Sequence, residues 1–162
     1  MSVKGEVEKL LARERAKLVA QDQAWRDFSS TQGSRFAPMS SVVTELAESV
    51  PPEFIRLKIH SASATLEVGT RGDKDDFQCD IRWTVAPNSS SELVSGSFRP
   101  QDRPGFKIDE TQYARLPEFE ITEKELEFPS ESAAAEHMAE RLAKKVAWYQ
   151  HLAEKHRTRK SS

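Results

Sequence analysis

Cys79 is the one thiol in the chain, and the four histidines, His60, His137, His151 and His156, are the bases that nucleophilic chemistry at sulfur would need. The pattern around the cysteine points elsewhere. Phe77, Cys79, Ile81, Trp83 and Val85 alternate with Gln78, Asp80, Arg82 and Thr84, which predicts a half-covered strand with Cys79 on its buried side. A thiol buried among apolar neighbours stays neutral and unreactive. Metal ligation has no better support, because His151 and His156 diverge from one another on a helix and neither an HExxH nor a CxxC spacing occurs. His137, Lys144 and His151 share one helical face, which reads as solvated surface.

Carboxylates crowd the segment from Asp102 to Glu131, including Asp109, Glu110, Glu118, Glu120, Glu123, Glu125 and Glu127. Paired carboxylates can act as acid and base. Here Glu118 and Glu120 alternate with Phe119 and Ile121, the pattern of a charged edge strand that resists edge-to-edge aggregation. Gly69 and Gly72 lack the context of a phosphate-binding loop, so no nucleotide and no other cofactor is expected. The tail Lys155-His156-Arg157-Thr158-Arg159-Lys160 is basic but carries no interleaved aromatic residue, and cations at a helix C-terminus are favourable without any ligand.

The elements that hold these side chains follow from periodicity. A chain of 162 residues has the size of one domain, and its 37% apolar and 31% charged residues imply a compact core with solvated or partnered flanks. A net charge of −2 gives no overall attraction to nucleic acid or anionic membrane. A lone cysteine requires no oxidising compartment, the first residues mix charges unlike a secretory signal, and no run is apolar enough to span a membrane. A cytoplasmic, soluble protein is therefore expected.

Residues from about Ser2 to Phe28 predict a helix with Val7, Leu11, Leu18, Trp25 and Phe28 on one side. Glu14 and Gln21 lie on the heptad row that Val7 and Phe28 define, so the seam is narrow and suits a partner helix or an exposed arm. Ser29 to Ser34 is expected to end it, and a second short helix through Val42, Val43, Leu46 and Ala47 should stop before Pro51-Pro52. Ile55, Leu57 and Ile59 alternate as a strand, and the parity then shifts to Ala62, Ala64, Leu66 and Val68, which predicts a bulge near Ser61. Gly69 to Asp75 reads as a turn into the Asp76–Ala86 strand, and Pro87 to Ser91 as a hairpin into Leu93–Phe98. The breaker-rich stretch from Arg99 to Pro117 is expected to be a long loop with at most a short strand at Phe106–Ile108, followed by a strand at Glu118–Thr122. Ser130 or Ser132 should cap the last helix, whose apolar row runs through Ala135, Ala139, Leu142, Val146, Tyr149 and Ala153.

The fold class is thus α+β: N-terminal helices, an antiparallel sheet of four or five strands, and a long C-terminal helix packed on one sheet face. Residues 1–162 are expected to form a single domain, with a helical arm at 1–35, the sheet at 54–122, the last helix at 130–157 and a frayed tail at 158–162. The predicted function is that of a small binding or adaptor protein acting through protein–protein contacts, with no catalytic centre identified. Expected partner contacts are Leu11, Leu18 and Trp25 on the arm, Trp148 off the main stripe of the last helix, and Arg56, Lys58 and Arg82 on the outward side of the sheet. Self-association as a homodimer is the expected use of the seam. A small-ligand carrier or enzyme would instead need a pocket between the sheet and the last helix, with the Arg99–Pro117 loop as its rim. A nucleic-acid accessory protein would rest on the basic ends alone.

Overall fold

The computed structural model describes residues 2–72, 76–94 and 96–161. Its elements are α1 (Val3–Glu48), β1 (Ile55–Ile59), β2 (Ala64–Arg71), β3 (Phe77–Val94), β4 (Ser97–Ala114), β5 (Glu120–Phe128) and α2 (Glu131–Ser161), with one 3-10 turn at Pro52–Phe54. The five strands form an antiparallel sheet in sequential order β1-β2-β3-β4-β5, leaving β1 and β5 as edges. The fold is therefore α+β, and among the described residues no helix is long and apolar enough to cross a membrane.

One N-terminal helix stands where two were expected. The polar stretch after Phe28 does not end α1, because Thr31 and Ser34 turn their hydroxyls back onto the carbonyls of Asp27 and Ser30 instead of capping. Gln32, Phe36, Met39 and Val43 are buried, and that packing carries the helix through Pro38 to its end at Glu48. The parity shift near Ser61 is a chain reversal, not a bulge: β1 and β2 form a hairpin closed by a hydrogen bond from the His60 amide to the Ser63 carbonyl. Part of the predicted Gly69–Asp75 turn, residues 73–75, lies outside the described residues.

The hairpin expected at Pro87–Ser91 and the loop expected at Arg99–Pro117 are instead two long paired strands. Strand β3 runs on to Val94, and β4 returns from Ser97 to Ala114, with Gly96 at positive φ in the reversal. Pro100 pairs with Ser91 in the ladder, and Pro104 and Gly105 sit in a bulge. Pro87 pairs with Phe106 and Ser89 with Asp102, so Arg103, Pro104 and Gly105 are accommodated opposite Asn88. The guanidinium of Arg35 on α1 donates to the carbonyls of Asn88, Arg103 and Gly105, and Asn88 donates to Pro104, satisfying groups the ladder has lost. Gly105 has φ +86°, and a Cβ there would stand 2.1 Å from the Phe128 carbonyl oxygen, so glycine alone fits between β4 and β5.

Strand β5 spans Glu120–Phe128 and is longer than the predicted Glu118–Thr122, so the sheet reaches residue 128. Its acidic residues are exposed along the edge. Ser130 caps α2 by accepting the Ala133 amide, and the helix runs past the expected end at 157 to Ser161. Leu66, Trp83, Val85 and Ile108 of the sheet share one core with Phe36, Met39 and Val43 of α1 and with Ala134, Met138, Leu142 and Val146 of α2.

Candidate functional site

Glu110 is the side chain with the most concentrated chemistry. On β4 it follows Phe106 and Ile108 at strand parity, so the sheet turns it into the core, where its side chain is 0% exposed. Trp83 Nε1 on the neighbouring strand and Arg141 Nη1 on α2 each donate to Glu110 Oε1 at 2.8 Å, and Gln112 donates to Oε2 at 3.2 Å. His137 Nε2 lies 3.7 Å from Oε1, is closed off from solvent and makes no hydrogen bond, with its ring tilted against Phe128. Burial pushes the carboxyl pKa up. The hydrogen bonds from Trp83 and Gln112 and the charges of Arg141 and His137 outweigh it, so the net shift is below the ordinary carboxylate range. A carboxylate held ionised and sealed from water is a poor proton donor near neutrality, and its evident work is to tie β3, β4 and α2 together.

This cluster was missed in the sequence. Glu110 falls in the segment expected to be an acidic loop, and His137 on the helix face expected to be solvated. The available signal was the parity of Phe106, Ile108 and Glu110, which becomes visible only if the strand is carried beyond Ile108. Above the cluster lies an open groove of about 400 Å³, lined by Ile81, Gln112, Arg141, Lys144, Lys145 and Trp148.

Cys79 does not join Ile81, Trp83 and Val85. Val68 pairs with Ile81 but Gly69 pairs with Cys79, so Asp80 is an extra residue and the strand parity flips across it. Gly69 makes the bulge possible, since a Cβ there would meet the Gln78 carbonyl oxygen at 1.9 Å. The flip sends Asp80 to Tyr149 on α2, whose hydroxyl donates to Asp80 Oδ2 at 2.6 Å; burial and this carboxylate together raise the tyrosine pKa. Cys79 is half-buried beside Glu67 and Arg82. Burial first, and then the Glu67 carboxylate, push the thiol pKa up to about 11. Among the described residues, no group of three His, Cys, Asp or Glu is placed to hold a metal ion.

The expected contact residues fall on three separate surfaces. Leu11, Leu18 and Trp25 lie on the N-terminal half of α1 with 49, 60 and 39% of their surface exposed, and Trp148 on α2 is 54% exposed. Arg56 and Arg82 stand on the outward sheet face, Arg56 over the Phe77 ring at 4.5 Å and Arg82 3.8 Å from Glu67. Lys58 is exposed on the same parity as Arg56. The structure joins Arg56, Lys58 and Arg82 on one face and brings neither the arm residues nor Trp148 to it.

The arm has a further regularity. Leu11, Leu18, Trp25, Gln32, Met39 and Leu46 recur every seventh residue along one helix. Gln32 and Met39 are buried and Leu46 is partly buried against the core, whereas the first three are exposed. Comparison with known proteins gives no matching family model, no matching curated protein and no matching solved structure.

Proposed function

We propose that this is a small cytoplasmic binding or adaptor protein that acts through protein–protein contacts, with the N-terminal half of α1 as its working surface and a second copy of the chain as its first partner. The observation that carries this reading is the heptad row of α1, half of which is packed in the core while Leu11, Leu18 and Trp25 stay outside it and exposed, the Trp25 ring meeting only Phe28 of its own helix edge-on. An extended helix gains most of its stability from packing an apolar stripe, not from intrinsic propensity. Fully burying Leu11 and Leu18 is worth about 1.5–3 kcal/mol each. The alternative, a small-ligand carrier or enzyme, draws on the groove beside Trp148. That groove is open, and the polar groups beneath it, Glu110, Arg141 and Gln112, are bonded to one another.

Replacing Leu11 and Leu18 together by Glu tests the reading. The variant should keep the far-UV signature and melting temperature of the sheet and core, because neither leucine touches them, while sedimentation velocity shows self-association weakened at least a hundredfold. A wild-type protein that is monomeric at tens of micromolar sinks the proposal.

A further inference from the structure

We infer that the partner on the α1 arm is the same arm of a second copy, running antiparallel, with Leu11 against Phe28 of the partner subunit. The inference rests on the arm being the working surface and adds its orientation and register. It follows from where the polar interruptions fall. Leu11, Leu18 and Trp25 form one row of the seam, and Val7, Glu14, Gln21 and Phe28 form the other.

In an antiparallel pair each residue of one row meets a residue of the other. With Leu11 opposite the partner's Phe28, Leu18 meets the partner's Gln21, and Trp25 meets the partner's Glu14. The last contact sets an indole N–H, a donor only, against a carboxylate, an acceptor only. Flanking this seam, Arg15 falls beside the partner's Asp22, and the two-fold axis repeats the pair. From Leu11 to Phe28 the overlap is about 27 Å of helix. Beyond it Gln32 is engaged by Asp102 of its own chain, which closes the seam at the body of the molecule.

The competing arrangements each meet like charges. Sliding the antiparallel pair by one heptad in one direction sets Arg15 against the partner's Arg15, and in the other direction Asp22 against the partner's Asp22. A parallel, in-register pair would gain Lys17 beside the partner's Asp22, but it places Glu14 against the partner's Glu14 inside the seam. A like-charged pair in a packed layer is the costlier feature, because burial removes the water that screens it.

The test uses the full chain with Cys79→Ser, which removes the native thiol, and one new cysteine at a time. Leu11→Cys and Phe28→Cys are oxidised separately and as an equimolar mixture. Cross-linked dimer forming in the mixture and not in either variant alone is the expected result. Self-linking of either variant alone, or no cross-link in the mixture while wild-type protein sediments as a dimer, overturns the register and leaves the arm as the binding surface. A wild-type monomer removes both. As an independent readout, Arg15→Asp and Asp22→Arg should each raise the dimer dissociation constant about tenfold, and the double variant should restore it; failure of that restoration also overturns the inference.

Discussion

At the scale of single residues, Glu110 and Cys79 reverse what their surroundings in sequence suggested. Glu110 is charged in the folded protein below the pH at which an unfolded carboxyl, with its ordinary value near 4.5, would be protonated. Its contribution to stability is therefore complete above that value and is lost as pH falls through the lower, folded-state value. Glu110→Gln should cost about 3 kcal/mol near neutrality, since it leaves Arg141 without its buried counter-charge. The cost should shrink in acid, so that chemical denaturation of the two proteins between about pH 3 and pH 6 gives converging curves. Cys79 should react slowly with thiol reagents at pH 8 although it is only half-buried. A pKa of about 11 leaves a thiolate fraction on the order of one in a thousand there. The rate should climb tenfold per pH unit toward 11, and a fast reaction at pH 7 would contradict the placement beside Glu67. Both misreadings have one source. Strand parity is legible in the sequence, but the Asp80 bulge that flips it depends on Gly69 of the neighbouring strand, and the parity of Glu110 is hidden behind Pro104-Gly105.

At the scale of elements, legibility followed the strength of periodicity. The existence of the Asp76–Ala86 strand and of the last helix was evident because their patterns run long, although the strand changes parity at Asp80 and the helix buries Ala134 and Met138 in place of the expected Ala135 and Ala139. The continuity of α1 was not, since Ser29, Ser30, Gly33 and Pro38 are local reasons to stop, and the burial of Gln32, Phe36 and Met39 that overrides them is a tertiary effect. The length of the β3–β4 hairpin is hidden for the same reason: Pro104 and Gly105 sit in a bulge whose carbonyls are met by Arg35, far away in sequence. The far end of α2 is ordered as helix yet has no buried residue from 150 to 159. Ending the chain after Lys155 should therefore shift the melting temperature by no more than about 2 °C, a change of a few tenths of a kcal/mol. A drop of 10 °C would show that this end is docked.

At the scale of the whole molecule, α1 is one helix with two environments, its C-terminal half part of the core and its N-terminal half bare. The exposure of the arm row and of Trp148 was legible in the sequence. The heptad continuity from Leu11 to Leu46 was not, because it emerges only once α1 is a single helix. The central claim, that the bare half is a binding surface first filled by a second copy, is tested most directly by amide hydrogen exchange at two protein concentrations. An unpartnered helix frays and exchanges quickly, whereas a packed one is protected by local stability. Amides of residues 7–28 should be protected at tens of micromolar and lose that protection on dilution to the nanomolar range, while residues 36–48 exchange at the same slow rate in both. Exchange across residues 7–28 that does not change with concentration would contradict the account.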